Sequence, residues 1–129
     1  MKIFDCFMFY DEEMLLDIRL NTLDKFVDKF VIVESTFTHS GKKKDPIFDI
    51  ENFKKFKDKI KYHLIEKAPK DIETVNSYDT DHIKGNKIIM NAVRFENGQR
   101  HAIGDLLNDA QPNDQIIISD LDEIPNLEN

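Results

Sequence analysis

The sequence predicts an α/β domain built on an open, largely parallel sheet. Three observations lead there. Strand-like and helix-like segments alternate in the order strand, helix, strand, helix, strand, loop, helix, strand. The run Phe30-Val31-Ile32-Val33 is apolar without interruption, which suits a parallel strand covered on both faces. The run Ile116-Ile117-Ile118 ends on Ser119-Asp120-Leu121-Asp122-Glu123-Ile124-Pro125, where proline stops the strand. Open parallel sheets bind ligands outside the carboxyl ends of their strands. Three polar strand ends, Tyr10-Asp11, Glu34-Ser35 and Asp120 to Glu123, are expected to gather there.

Each element has its own reason. Ile3 to Phe9 is apolar and aromatic, with Asp5 and Cys6 as interruptions, and reads as the first strand. Asp11-Glu12-Glu13 suits a helix start through capping and the helix dipole. Leu16, Leu20, Leu23 and Val27 recur at helical spacing, so a helix is expected from about Asp11 to Phe26. Phe30 to Glu34 is the second strand. Ser35 to Pro46 is a polar loop holding Gly41 and Lys42-Lys43-Lys44. Asp49 to Lys59 reads as a short basic helix with Ile50, Phe53 and Phe56 on its apolar side, and Tyr62 to Ile65 as the third strand. Glu66 to Gly85 has weak periodicity and is expected to be a long loop. Asn86 to Ala110 reads as a helix or a broken pair, with Ile88, Ala92, Phe95, Ile103 and Leu106 inward and Gly98 and Gly104 as weak points. After the turn Gln111-Pro112-Asn113-Asp114, the fourth strand runs from Gln115 to Ser119.

Composition narrows the function. A chain of 129 residues is expected to form one domain, 1–129. The formal net charge of −7 argues against a general nucleic-acid binder, which needs a basic face. No apolar stretch approaches the ~20 residues of a membrane span. Cys6 is the only cysteine, so neither an internal disulfide nor a cysteine-rich zinc site is available. That fits a reducing compartment, and the cytoplasm is the expected location.

Asp-x-Asp is a weak motif by itself. With 16 Asp in 129 residues, chance predicts about two matches. Two occur, Asp79-Thr80-Asp81 and Asp120-Leu121-Asp122, and only the second follows an apolar strand. In extended backbone alternate side chains share a face. Asp120 and Asp122 are therefore expected to point together into a cleft while Leu121 packs the other way. Such an oxygen pair suits a hard divalent cation that also carries a phosphate, which suggests nucleotide-sugar chemistry. Asp79, Asp81 and His82 sit in the polar loop, where solvation is the expected role.

Four stretches resemble glycosyltransferase family 17, the family of the β-1,4-N-acetylglucosaminyltransferases that place a bisecting sugar on N-glycans. They are Phe4-Asp5-Cys6-Phe7 running into Leu16-Asp17-Ile18-Arg19-Leu20; Val27 to Ser35 with Thr38-His39-Ser40-Gly41-Lys42; Arg94-Phe95-Glu96-Asn97 with Gln99-Arg100; and Ser119 to Pro125. They span nearly the whole chain. The resemblance implies a Rossmann-like GT-A fold, a UDP-sugar donor such as UDP-N-acetylglucosamine, a glycan or other saccharide acceptor, and Mn²⁺ or Mg²⁺. It implies Asp122 as a direct metal ligand, Asp120 facing the ribose or sharing the metal, and Glu34 against the nucleoside. Arg100 or the Lys42–Lys44 run would add positive charge near the phosphates. Family members continue past this motif, so the chain is expected to be the donor-binding half, incomplete at its C-terminus and without the acceptor-binding half. No catalytic base can be matched.

Two rival readings remain at this point. A haloacid-dehalogenase-type phosphohydrolase also leads a strand into Asp-x-Asp, using one Asp as nucleophile. Such enzymes need further motifs downstream, and only seven residues follow Asp122. A non-catalytic nucleotide-sugar-binding fragment is the second.

Overall fold

The structure is a computed structural model that describes residues 1–128. Its strands are β1 (Ile3–Phe9), β2 (Lys29–Ser35), β3 (Ile60–Ile65) and β4 (Gln115–Ile118); its α-helices are α1 (Glu13–Leu23) and α2 (Asp81–Asp105). The sheet order is β3-β2-β1-β4 and every pairing is parallel. The expected α/β sheet is therefore present and has a Rossmann-like layout. The chain winds outward from β1 through β2 to β3, then returns to place β4 on the other side of β1. The switch point of the sheet lies between β1 and β4.

Side-chain alternation divides the core into two layers. Phe7 and Phe9 of β1, with Phe30 and Ile32 of β2, face Leu16, Leu20 and Leu23 of α1 and the aromatic pair Phe53 and Phe56. Phe4, Cys6 and Met8, with Val31 and Val33, face Ile103 of α2. Both faces of β1 and β2 are covered, which is why these strands read as continuous apolar runs. Each fully buried leucine of α1 stabilises the fold by about 1.5–3 kcal/mol relative to exposure.

Several boundaries differ from expectation. The segment expected as a basic helix is a 3₁₀-helix, Ile50–Phe56, kinked at Phe53 so that Phe53 and Phe56 can both enter the core. Helix α2 starts earlier than expected, at Asp81, because the Thr80 side chain caps it by accepting from the Ile83 amide. It runs unbroken through Gly98. Burial of Ile103 against the sheet, of Phe95 against Phe37 and of Gln99 beside Tyr10 outweighs the cost of about 1 kcal/mol per helical glycine.

Ile88 was expected inward but is 54% exposed. The reason is length. At 1.5 Å per residue α2 is about 37 Å long, against about 23 Å for a seven-residue strand. Its buried positions begin only at Phe95. The preceding half projects past the carboxyl edge of the sheet and is braced by the loop before it. There Asn91 exchanges two hydrogen bonds with the Glu73 backbone, Lys87 binds Asp79, and Arg94 pairs with Asp71. Asp79 of the other Asp-x-Asp match is thus a brace, and Asp81 opens the helix. Among the described residues no helix is long and apolar enough to cross a membrane.

Candidate active site

The site begins with unequal strand lengths. The last β1–β4 rung pairs Cys6 with Ile118, whereas β1 continues beside β2 as far as Phe9. Past that rung β4 leaves the sheet, and a cavity of about 340 Å³ opens at the switch point. Met8, Tyr10, Glu12, His39 and Glu96 line it together with Asp120, Leu121 and Asp122.

The two aspartates share the cavity, but an extended backbone does not place them there. Residues 120–123 form a tight turn, closed by the Glu123 amide donating to the Asp120 carbonyl at 2.9 Å. The Glu123 carboxylate accepts from the Asp120 amide at 3.1 Å. Leu121, 6% exposed, anchors the turn in the α1-side core. Among the described residues, the Asp120 and Asp122 side-chain oxygens accept no hydrogen bond and join no ion pair, whereas the Asp120 backbone is engaged at both its amide and its carbonyl.

Arg19 holds this turn from behind. Its side chain is fully buried. Nε and Nη2 donate to the two Asp5 oxygens at 2.8 and 2.7 Å. Nη1 donates to the carbonyls of Asp120, Leu121 and Glu123 at 2.7, 3.2 and 3.2 Å, and Nη2 also reaches Ser119 Oγ at 2.6 Å. The guanidinium lies 4.6 Å from the Phe7 ring centroid. Sequence reading assigned Arg19 no such role. The signal was a charge inside the apolar stripe Leu16-Arg19-Leu20-Leu23, matched by Asp5 inside the apolar first strand.

Glu34 lies elsewhere. Alternation turns it to the same face as Phe30 and Ile32, where it is fully buried. It accepts from Lys44 Nζ at 3.1 Å, the Ile47 amide at 2.7 Å, the Phe48 amide at 3.1 Å and the Tyr62 hydroxyl at 2.7 Å. Burial, then the bond to Glu34, pushes the Tyr62 hydroxyl well above its ordinary pKa. Glu34 does not line the cavity. It fixes the loop that carries His39, and Lys44 is spent on Glu34 and the Tyr10 carbonyl. In that loop Gly41 has φ +86°, a conformation L side chains rarely adopt.

Arg100 is exposed on α2 and pairs with Glu96 at 2.6 Å. It borders a second cavity of about 220 Å³ lined also by Ser119, Asp120 and Glu123. Asp120 and Met8 belong to both cavities. Tyr10 contacts His39 and donates to Gln99 Oε1 at 2.8 Å, which joins β1, the His39 loop and α2 around the cavity. Burial raises the Tyr10 pKa, so the phenol stays neutral. Cys6 of β1 is buried in the core layer facing α2 and its thiol is pushed up to about 12, chiefly by burial, which leaves it no nucleophilic role.

Four of the lining side chains, Glu12, Glu96, Asp120 and Asp122, are carboxylic acids. A cavity of that sign holds a phosphate only with a cation between them. Among the described residues no three His, Cys, Asp or Glu side chains converge on one point. Two free carboxylates on one cavity match the one or two that Mg²⁺ or Mn²⁺ takes from a protein. They do not fit a protein-caged metal.

An open parallel sheet with free carboxylates at its switch point defines a Rossmann-like α/β protein with a carboxylate-lined cavity between β1 and β4. The chain belongs to glycosyltransferase family 17, whose model matches residues 1–129. No curated protein and no solved structure matches it. The chain is accordingly a glycosyltransferase, and the phosphohydrolase reading has no support.

Proposed function

We propose that the cavity between β1 and β4 binds a UDP-sugar, with UDP-N-acetylglucosamine as the donor suggested by the sequence, for transfer to a glycan or other saccharide acceptor. Asp122 and Asp120 are the residues that would hold Mn²⁺ or Mg²⁺. The observation that carries this is the pair of unpaired carboxylates on one cavity at the switch point of a family 17 chain.

The chemistry follows from the bonds involved. Transfer breaks the bond between the anomeric carbon and the phosphate oxygen, so negative charge grows on the leaving diphosphate. The cation supplies Lewis-acid stabilisation of that charge. Asp120 and Asp122, at the cavity wall, would hold that cation. An acceptor hydroxyl attacks the anomeric carbon and gives its proton to a carboxylate base. Arg100, beside the adjoining cavity that shares Asp120, adds positive charge to the same edge.

Calorimetry of UDP with Mn²⁺ tests the reading. Affinity is expected to fall at least ~10-fold with EDTA and in Asp122→Ala, the scale on which metal sites respond to loss of a supporting group. Equal affinity in all three measurements would remove the metal bridge. Incubation with UDP-N-acetylglucosamine and a saccharide then separates transfer from binding without turnover.

A further inference from the structure

We infer that Arg19 is the positioning residue of this site: it sets the spatial relation of Asp120 and Asp122 by gripping the main chain that carries them. The inference rests on the donor reading above. Its logic begins with what the two aspartates lack. Among the described residues no protein group holds either carboxylate, so the path of residues 119–123 sets where the two side chains leave the chain. Of the hydrogen bonds that reach this segment from elsewhere in the chain, Arg19 donates four and the Cys6 carbonyl accepts one.

An arginine that only neutralised Asp5 would use two donors. Here the fork to Asp5 takes Nε and one Nη2 hydrogen. Every remaining donor is aimed at residues 119–123. The Nη1 group spans the carbonyls of Asp120, Leu121 and Glu123, so it brackets Asp122 from both sides along the chain. Ser119 completes the grip by donating its hydroxyl to the Glu123 carbonyl at 3.1 Å. Asp5 and Phe7 in turn hold the guanidinium plane from β1. A planar five-donor fork is required, because lysine supplies the charge without the geometry. The arrangement ties α1, β1 and the β4 exit into one rigid base, as a pre-organised ligand pair requires.

The test compares wild type, Arg19→Lys and Ser119→Ala in the full chain. Amide hydrogen exchange reads the turn, and calorimetry of UDP with Mn²⁺, with and without EDTA, reads the site. In Arg19→Lys, exchange at residues 120–123 is expected to speed up while β1 and β2 amides stay protected. Mn²⁺-dependent UDP affinity is expected to fall about 10–100-fold, as for lost supporting partners of metal ligands, with EDTA-insensitive UDP binding unchanged. Ser119→Ala removes one contact and is expected to show the same pattern at about a third to a tenth of that size. It carries the test if the lysine variant does not fold. A folded variant with unchanged turn exchange and unchanged Mn²⁺-dependent affinity would overturn the positioning role alone. A wild type with no EDTA-sensitive UDP binding would overturn the donor reading, and the positioning role with it.

Discussion

Tyr10 and Gln99 are joined by a 2.8 Å hydrogen bond from phenol to amide oxygen, across 89 residues of sequence. The bond links the end of β1 to α2 just where the helix leaves the sheet. Gln99 is otherwise buried against the core. Tyr10→Phe leaves Gln99 Oε1 only the longer contact to His39 Nε2 at 3.5 Å and is expected to cost about 1–3 kcal/mol. A urea midpoint lowered at unchanged slope would show it; an unchanged midpoint would mean that the bond contributes nothing net.

Glu34 separates support from ligand binding. With four donors on its two oxygens, it is a strut of the His39 loop. Glu34→Gln turns an amide NH₂ toward some of those donors, at an expected cost of about 2–3 kcal/mol. Thermal unfolding would register the loss. UDP affinity measured well below the melting range is expected to change less than threefold; a larger change with little loss of stability would instead assign Glu34 to the nucleoside.

Acid weakens the fold in a defined direction. The Lys87 hydrogen bond, then the Asn76 amide, holds the Asp79 carboxyl below the usual carboxylate range. The amides of Gln111 and Lys2 do the same for Asp114. A depressed folded-state pKa means that the unfolded chain binds more protons, so stability rises with pH through that range. The contribution is complete above the ordinary Asp value near 4 and is lost as pH falls through the lower folded value. Asp114→Asn is expected to flatten the acid limb of a stability–pH curve, which denaturant titrations between pH 2 and 6 would reveal.

Glycines divide into two groups. A Cβ at Gly85 or Gly104 meets nothing within 4 Å, and both lie in α2. Replacing either with alanine is expected to stabilise by about 0.5–1 kcal/mol. Gly41→Ala is expected to cost about 1–2 kcal/mol because its φ is left-handed. Melting temperatures moving in opposite directions would check both, and a destabilised Gly104→Ala would contradict the open space at that position.

Local pattern revealed the strands. All four fall within two residues of expectation: β1 and β2 because apolar runs covered on both faces leave a plain signature, the edge strands β3 and β4 because β-branched and aromatic runs are bounded by turn residues. The order of elements also placed the acidic exit of β4 at the sheet's carboxyl edge. What stayed hidden was long-range. Arg19 meets the 119–123 turn across about a hundred residues of sequence, which no local period encodes. Glu34 looked like an open strand end because the loop that follows β2 folds back over it, bringing Lys44, Ile47 and Phe48 onto its carboxylate, and Tyr62 reaches it from β3. The exposure of Ile88 depends on where the sheet stops beneath α2, which helical spacing does not report. The start of α2 was legible in Thr80 as an N-cap residue followed by the acid Asp81, but the polar loop around it masked the cap.

Because the guanidinium clasps residues 120, 121 and 123 by their peptide oxygens and touches no side chain beyond Ser119, residue 122 is free to vary at little thermodynamic expense. The scaffold works as a socket into which different ligating groups can be plugged. Asp122→Glu, on an exposed turn position, is expected to leave the unfolding free energy within about 0.5 kcal/mol of wild type while altering the preference between Mg²⁺ and Mn²⁺. Divergence in ion usage would then require a single codon change and no rebuilding of the domain; a large drop in stability would show that the socket reads side chains after all.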